Sequence, residues 1–590
     1  MVIFAGVIVL ASKSIGDGSY ESSLYSAYPP LFWAGIISVL VLGLVQILLV
    51  VFQRPNSYRW WLGLLLIVMV NLFIISLPYF RDYMFNGQWD SPNHHSMILT
   101  IRQTGHSFKE DFYPFSHLIT AVFSIISGQS VPNSMHFTTI FFYLIGVMNV
   151  FFLAWVYDSR PGVRGILLAL SSLLIYSNYQ SMYFPVQYSI YMLLYFLAWF
   201  LKTRQTDRTW KEVIIFILVL LFLPYLHPLA VVSPLVFLLI YLIPLIKSGQ
   251  REQKSFFSKI NRVLQPIYPG FLTLLASWFL WFSTFRAFGK TIIHLVSVIR
   301  DGILGFNSLE SFVSASERAS LEISKILSLI VFTYGSGGGI VLIALICVAV
   351  YLIGRNWKWN QLRSDLVVFP VFMIFFLSLA VSSLFRDIIT SNPIRYLNFA
   401  VFLAPLIIGP LIFEIMDEKN SIKKNIRTLI FVIFSTATIA VGIIGVFNVS
   451  FSSIIGQPNN QYTYARAAGA EYFLEYASDE PGNIYSISAR ERIFRGLMPI
   501  GEIAALLQGN ESWRVKVPPP HFGYSEANGE GFEDPEYLFL TGYGAAYYSE
   551  LWTTGGLFTP EDFELLDNDP SWNRVYQSGD FTLWAWRDND

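Results

Sequence analysis

The sequence predicts a mainly α, polytopic membrane protein that ends in a water-soluble α/β domain. Three observations predict it. Apolar residues make up 54% of the 590 and charged residues only 13%, where about a quarter of a soluble protein is charged. Apolar runs recur from the N-terminus to about residue 450, each near the length that crosses a hydrocarbon core of roughly 30 Å as a helix. The charge is also divided. From Pro458 onward there are 21 Asp and Glu against 8 Lys and Arg, a net of −13. The first 457 residues carry 19 acids and 31 bases, a net of +12.

The runs justify about 13 spans in order. The first, residues 1–12, is short and apolar. The others are 31–52, 60–79, 137–157, 163–177, 184–201, 212–226, 229–246, 267–284, 338–354, 366–383, 397–416 and 428–450. Six loops, 54–59, 160–164, 202–211, 247–262, 355–363 and 419–427, together hold 20 Lys and Arg. Basic loops stay in the cytoplasm. All six can do so only if the stretches 115–130 and 321–334 lie at the outer interface instead of crossing. The expected topology is N-terminus inside and C-terminus outside, with loops 80–136, 285–337 and 384–396 facing outward. Two domains follow: a membrane domain over 1–457, with its outer loop at 80–136, and an outer soluble domain over 458–590. In the outer domain an amphipathic helix is expected at 462–476. Strands are expected at 483–488, 513–517 and 537–540, with a hairpin around Ser578-Gly579. The lone cysteine, Cys347, excludes disulfides and cysteine metal sites. A cysteine-poor exported domain suits a prokaryotic plasma membrane. No nucleic-acid partner is expected.

The chemistry concentrates in residues 79–117. That stretch lies between apolar runs and holds four of the eight histidines, His94, His95, His106 and His117, beside Asp82, Asp90, Glu110, Asp111, Arg81 and Arg102. Charge beside a bilayer is costly and points to function. Asp90 and His94 are four apart within WDSPNHH. If Pro92 opens a helix, Asp90 sits at its N-cap and His94 one turn in. Asp90 then has two readings: a plain helix cap, or a general base toward a hydroxyl. With His94 it can also hold a divalent cation such as Mg or Mn. Asp82 is either half of an interfacial pair with Arg81 or a partner carboxylate for Asp90. Trp89 is a candidate platform for a sugar or lipid, and His95, His106, His117, His227 and Tyr396 are candidate lining residues. The loop LFRDIITSNPIRYL brings Arg386 and Arg395 around an Asn-Pro turn. Paired guanidinium donors suit phosphate, and Arg102 is a third candidate. Tyr334-Gly-Ser-Gly-Gly-Gly lacks the ending of a phosphate loop and reads as a bend.

The Asp90/His94 pair, followed by Ile101-Arg102 and Gly105, resembles the outer loop of the GT-C integral-membrane glycosyltransferases. The segments YPFSH at 113–117 and RYLNFAVFLAP at 395–405 are similar to archaeal and bacterial members. The resemblance implies sugar transfer from a polyprenyl-phosphate-linked donor to a glycan, lipid or protein acceptor at the outer membrane face, with Asp90 as base. The Trp-Trp-Asp-Tyr-Gly motif of oligosaccharyltransferases is missing; only Thr541-Gly-Tyr-Gly and Trp584-Ala-Trp occur. Two alternatives differ in kind. A transporter or flippase for lipid-linked sugars would want charges in mid-span, where this chain has almost none. A non-catalytic envelope scaffold would leave the polar loop without a purpose.

Overall fold

The computed structural model describes residues 2–14, 16, 18–173, 178–204, 209–249, 267–286, 288–290, 293, 321–354, 365–385, 393–416, 424–476, 483–488, 492–502, 515–524, 531–552 and 557–587. Its helices fall on the expected apolar runs. They are α1 (Val2–Lys13), α2 (Pro30–Gln53), α3 (Trp61–Phe80), α4 (Ser91–Thr104), α5 (Phe115–Ser127), α6 (Val131–Tyr157), α7 (Pro161–Ser172), α8 (Pro185–Thr203), α9 (Trp210–Leu226) and α10 (Pro228–Gly249). After them come α11 (Ile267–Phe282), α12 (Ile323–Gly354), α13 (Asp365–Phe385), α14 (Pro393–Met416) and α15 (Lys424–Val446). Seven of these are long and apolar enough to cross a membrane: α2, α3, α6, α12, α13, α14 and α15. Shorter apolar helices pack between them, and the whole is a polytopic helical membrane protein.

Pro or Ser-Val-Pro openings start many of the helices where the sequence expects them. At α6 the Ser130 hydroxyl accepts from the Asn133 N–H, which satisfies one of the free donors of the first turn. α14 is the most enclosed of the seven. It packs against α12, α13 and α7, and its Phe399, Leu403 and Ile407 are fully buried.

Two expectations are corrected. Residues 321–334 do not form a separate interfacial helix, and the glycine run is no bend. Both belong to the single helix α12. The glycines serve packing: a Cβ at Gly337 would press on Val401 of α14, and one at Gly339 on Val441 of α15. Small residues let helix backbones approach closely, and that contact outweighs glycine's cost in a helix of about 1 kcal/mol relative to Ala.

The C-terminal residues build a five-stranded mixed sheet. Its strands are β3 (Asn483–Ser486), β4 (Val515–Lys516), β5 (Pro535–Thr541), β6 (Trp572–Ser578) and β7 (Phe581–Trp586), in the order β4-β3-β5-β7-β6. β3 runs parallel to β4 and β5, and β7 antiparallel to β5 and β6. Helix α16 (Tyr464–Tyr476) covers one face through Ala470 and Phe473. A second cluster, with Phe522, Phe558 and Trp572, covers the other. The helix, the strands and the hairpin at Ser578-Gly579 all lie where the sequence expects them.

Two further strands fasten this domain to the 80–90 loop. β1 (Phe85–Asn86) pairs antiparallel with β2 (Gln461–Tyr462), and the Met84 N–H donates to the Tyr462 carbonyl at 3.0 Å. Gln88 lies between the Gln461 carbonyl, to which it donates at 3.0 Å, and Arg466, from which it accepts at 2.6 Å. The segment that leads to Asp90 is therefore held by residues 461–466 as well as by α3.

Candidate functional site

The site is built where α4 and α5 meet the ends of α9 and α14. Gly87 makes the approach possible. Its φ is +136°, and a Cβ there would collide with the Ser91 hydroxyl; only glycine adopts such backbone freely. Asp90 then stands at the N-cap of α4 with Pro92 in the first turn. Its backbone carbonyl accepts from the His94 N–H at 3.0 Å, but its carboxylate makes no capping bond. The plain-cap reading of Asp90 therefore loses its support, and its half-buried side chain lies beside His94 on one face of the helix.

His94 and His117 are both buried, and Nδ1 of the first lies 2.9 Å from Nε2 of the second. His117 Nδ1 donates in turn to Asp111 at 2.7 Å. Tyr113 sits over this pair, 6.1 Å from His94 and 5.7 Å from His117 between ring centroids, and 5.4 Å from His227. Burial raises the Tyr113 hydroxyl above its ordinary range; the charges of Asp90 and Asp111 raise it further, while Arg395 lowers it. Asp90, Asp111 and Arg395 therefore act on one enclosed ring. Arg395 lies over Phe184 at 5.6 Å, and its Nε is buried with no hydrogen-bond partner among the described residues. His94 is held below the ordinary imidazole range by burial, and by His117 and His227, so it is a neutral base near pH 7.

The other candidates lie around this centre or away from it. Trp89 is 38% exposed and meets Tyr543 of the C-terminal part nearly edge to face at 6.1 Å. His227, half-buried at the end of α9, joins the group through Tyr113. Tyr396 is buried within the helix packing. His106 and Arg102 are exposed at the end of α4. Asp82 is exposed, with φ +55°, and its charge is felt by His136 and Tyr464. Arg81 pairs with Glu21 instead of with Asp82. Arg386 lies outside the described residues. Among the described residues no group of three or more His, Cys, Asp or Glu is placed to hold a metal ion.

His95 has a different task. It is buried against Phe85 at 4.9 Å, with the Gly496 backbone favouring its protonated form. Beside it Ser96, which donates to the Met498 carbonyl at 2.7 Å, and Thr100, which accepts from the Ile500 N–H at 3.1 Å, fasten α4 to the 492–502 segment. Burial pushes the His95 pKa down to about 4. Between about pH 6.5 and pH 4 the unfolded chain binds a proton that the folded one refuses. Stability is therefore full above about pH 6.5 and falls on acidification, by at most about 1.4 kcal/mol per pH unit. Hydrogen exchange of the 492–502 segment should quicken across that window in the wild type and change little in His95→Gln.

Sequence reading missed Asp111 as a partner of His117, because six residues across a Pro-initiated helix start carry no fixed geometry. It missed Glu21 because nothing in residues 14–29 marks them as facing Arg81.

No family model matches the chain, and no curated protein matches it. Among solved structures it is similar to ArnT from Cupriavidus metallidurans bound to undecaprenyl phosphate, at 12% identity and a TM-score of 0.46, over 90% of this chain and 98% of that one. It is also similar to an Archaeoglobus fulgidus oligosaccharyltransferase in complex with zinc and sulfate, at 11% identity and a TM-score of 0.47, over 88% and 73%. A third is the arabinofuranosyltransferase AftD from Mycobacteria, at 11% identity and a TM-score of 0.41, over 90% and 40%.

Proposed function

We propose that this chain transfers a sugar from a polyprenyl-phosphate-linked donor to an acceptor hydroxyl at the outer face of a prokaryotic plasma membrane. One observation carries the reading. The Asp90 carboxylate at the start of α4 makes no capping bond, and the Arg395 guanidinium at the start of α14 has a buried Nε with no hydrogen-bond partner among the described residues; the charges of both reach Tyr113. Transfer needs a base at the attacking oxygen and a cation at the leaving phosphate.

In the step that follows, Asp90 takes the proton of the acceptor hydroxyl. The oxygen then bonds to the anomeric carbon of the donor. The bond from that carbon to the phosphate oxygen breaks, and its electron pair leaves on the phosphate. Arg395 holds that phosphate, and its planar fork pairs with two phosphate oxygens. Trp89, exposed beside Asp90, offers an aromatic face to the acceptor. The donor's polyprenyl tail lies among the apolar side chains that α5 and α9 expose, such as Ile126 and Phe222. The acceptor is a glycan, a lipid or a protein.

Mass spectrometry of envelope glycans from cells with and without the gene tests the reading. One hexose or pentose should be missing without it. Identical glycans in both strains would remove the proposal.

A further inference from the structure

The transfer step as written leaves three buried groups unused. They form a line: Asp111, His117, His94, joined at 2.7 and 2.9 Å and each 4% exposed or less. Burying titratable groups costs free energy unless their hydrogen bonds are met, and here each bond has one allowed direction. A carboxylate accepts, so His117 presents its proton at Nδ1. A neutral imidazole has one N–H and one lone pair. His117 therefore accepts at Nε2, and His94 donates from Nδ1. The lone pair of His94 is then at Nε2, on the ring that Tyr183 and Tyr113 flank at 5.4 and 6.1 Å.

Other hydrogen bonds hold each helix to its further neighbours. α4 is fastened by Ser96 and Thr100. α5 is fastened by Thr120, whose hydroxyl lies 2.9 Å from that of Thr138 on α6 and 3.1 Å from that of Tyr183. The line itself joins α4 to α5, and it does so with costly ionisable groups that end on the residue one turn after Asp90, where an uncharged pair could bridge the helices at less cost.

We propose that Asp111 and His117 are positioning residues that hold His94 in the tautomer with its lone pair at Nε2, so that His94 receives the proton Asp90 takes from the acceptor. The proposal rests on the glycosyl-transfer reading and extends it. The proton passes from the acceptor oxygen to the Asp90 carboxylate and then to His94 Nε2, which gives it up to the departing polyprenyl phosphate, so that both groups are restored for the next turnover. The sugar moves from the phosphate oxygen to the acceptor oxygen, and the electron pair of the broken bond stays on the phosphate. The positive charge that arises on His94 is offset by Asp111 through the shared His117, the same electrostatic logic by which a carboxylate supports a histidine base. The other charged or titratable groups facing His94 are Tyr113, Tyr183, His227 and, beyond Tyr113, Arg395.

Asp111→Asn tests this in the full-length protein in lipid nanodiscs. The amide can donate where the carboxylate accepted, which reverses both bonds and turns His94 Nε2 into an N–H. The turnover number should fall on the order of 100-fold or more, while the donor KM stays within about twofold, because Arg395 still holds the phosphate. Asp111→Glu, which keeps an accepting carboxylate, should recover much of the loss. Nitrogen-15 spectra of histidine-labelled protein, with His94 assigned through His94→Gln, should show an unprotonated Nε2 in the wild type and a protonated one in Asp111→Asn. A protonated Nε2 in the wild type, or a turnover number of Asp111→Asn within about threefold of wild type, overturns the proposal. A wild type that transfers nothing removes the glycosyl-transfer reading and this role with it. An active wild type that tolerates Asp111→Asn removes the relay alone.

Discussion

Asp90→Asn should lower the rate of sugar transfer on the order of a hundred- to ten-thousand-fold, the range that a positioned general base contributes. The fold should survive. Asp90 makes no capping bond with its carboxylate, and asparagine is as good as aspartate at a helix N-cap. Its loop is held from both sides by backbone pairing of β1 with β2 and by Gln88. The loss should fall on turnover more than on donor affinity, since the donor phosphate is assigned to Arg395. Steady-state kinetics with the melting temperature measured on the same preparation checks this. A variant that transfers at a near wild-type rate would end the assignment of Asp90 as base.

The largest effect on stability is expected at Glu21. This residue pairs with Arg81 just outside α3, with side-chain exposures of 12% and 8%. Arg81 also donates to the Ser14 carbonyl and lies over Tyr28 at 5.4 Å. The second oxygen of Glu21 accepts from Tyr83 at 2.9 Å, and Tyr83 accepts from Asn459 at 2.6 Å. Removing one partner of a buried pair strands the other charge, at a cost of about 3–5 kcal/mol. Glu21→Ala should be destabilised by that order. Its loss should loosen the whole joint between residues 14–28, the 80–90 loop and residues 459–461. The paired replacement Glu21→Leu with Arg81→Met should recover most of the stability, because no charge is left buried. Thermal unfolding in nanodiscs reads both. A Glu21→Ala variant within about 1 kcal/mol of wild type would mean that water reaches Arg81 and satisfies it.

The sequence carried the fold well where a single physical rule decides the matter. Apolar run length sets the helices of the membrane domain, and alternation with turn residues sets the hairpin at Ser578-Gly579. Pro92 and Pro114 marked the starts of α4 and α5. The rule failed at Gly335–Gly339, where propensity argues for a break and helix packing against Val401 and Val441 overrides it. The site was legible in part. Asp90 and His94 could be paired because four residues make one helical turn. Arg395 could be proposed for phosphate from its chemistry, but not placed beside Tyr113, since the two lie on different elements far apart in the chain. His117 stood in the sequence as one lining candidate among several. Its partnership with Asp111 depends on how α5 folds back against α4, which no local pattern encodes. His95 and Tyr396 show the converse: polar residues near a site that the fold uses for packing.

The central claim is bond-making at the outer face, and it is tested most directly with purified protein in nanodiscs and a polyprenyl-phosphate-linked sugar labelled in the sugar. The account predicts that labelled sugar appears on an acceptor in step with free polyprenyl phosphate, and that Asp90→Asn abolishes both. Movement of intact labelled lipid across the bilayer with no new glycosidic bond would contradict it and leave a transporter in its place.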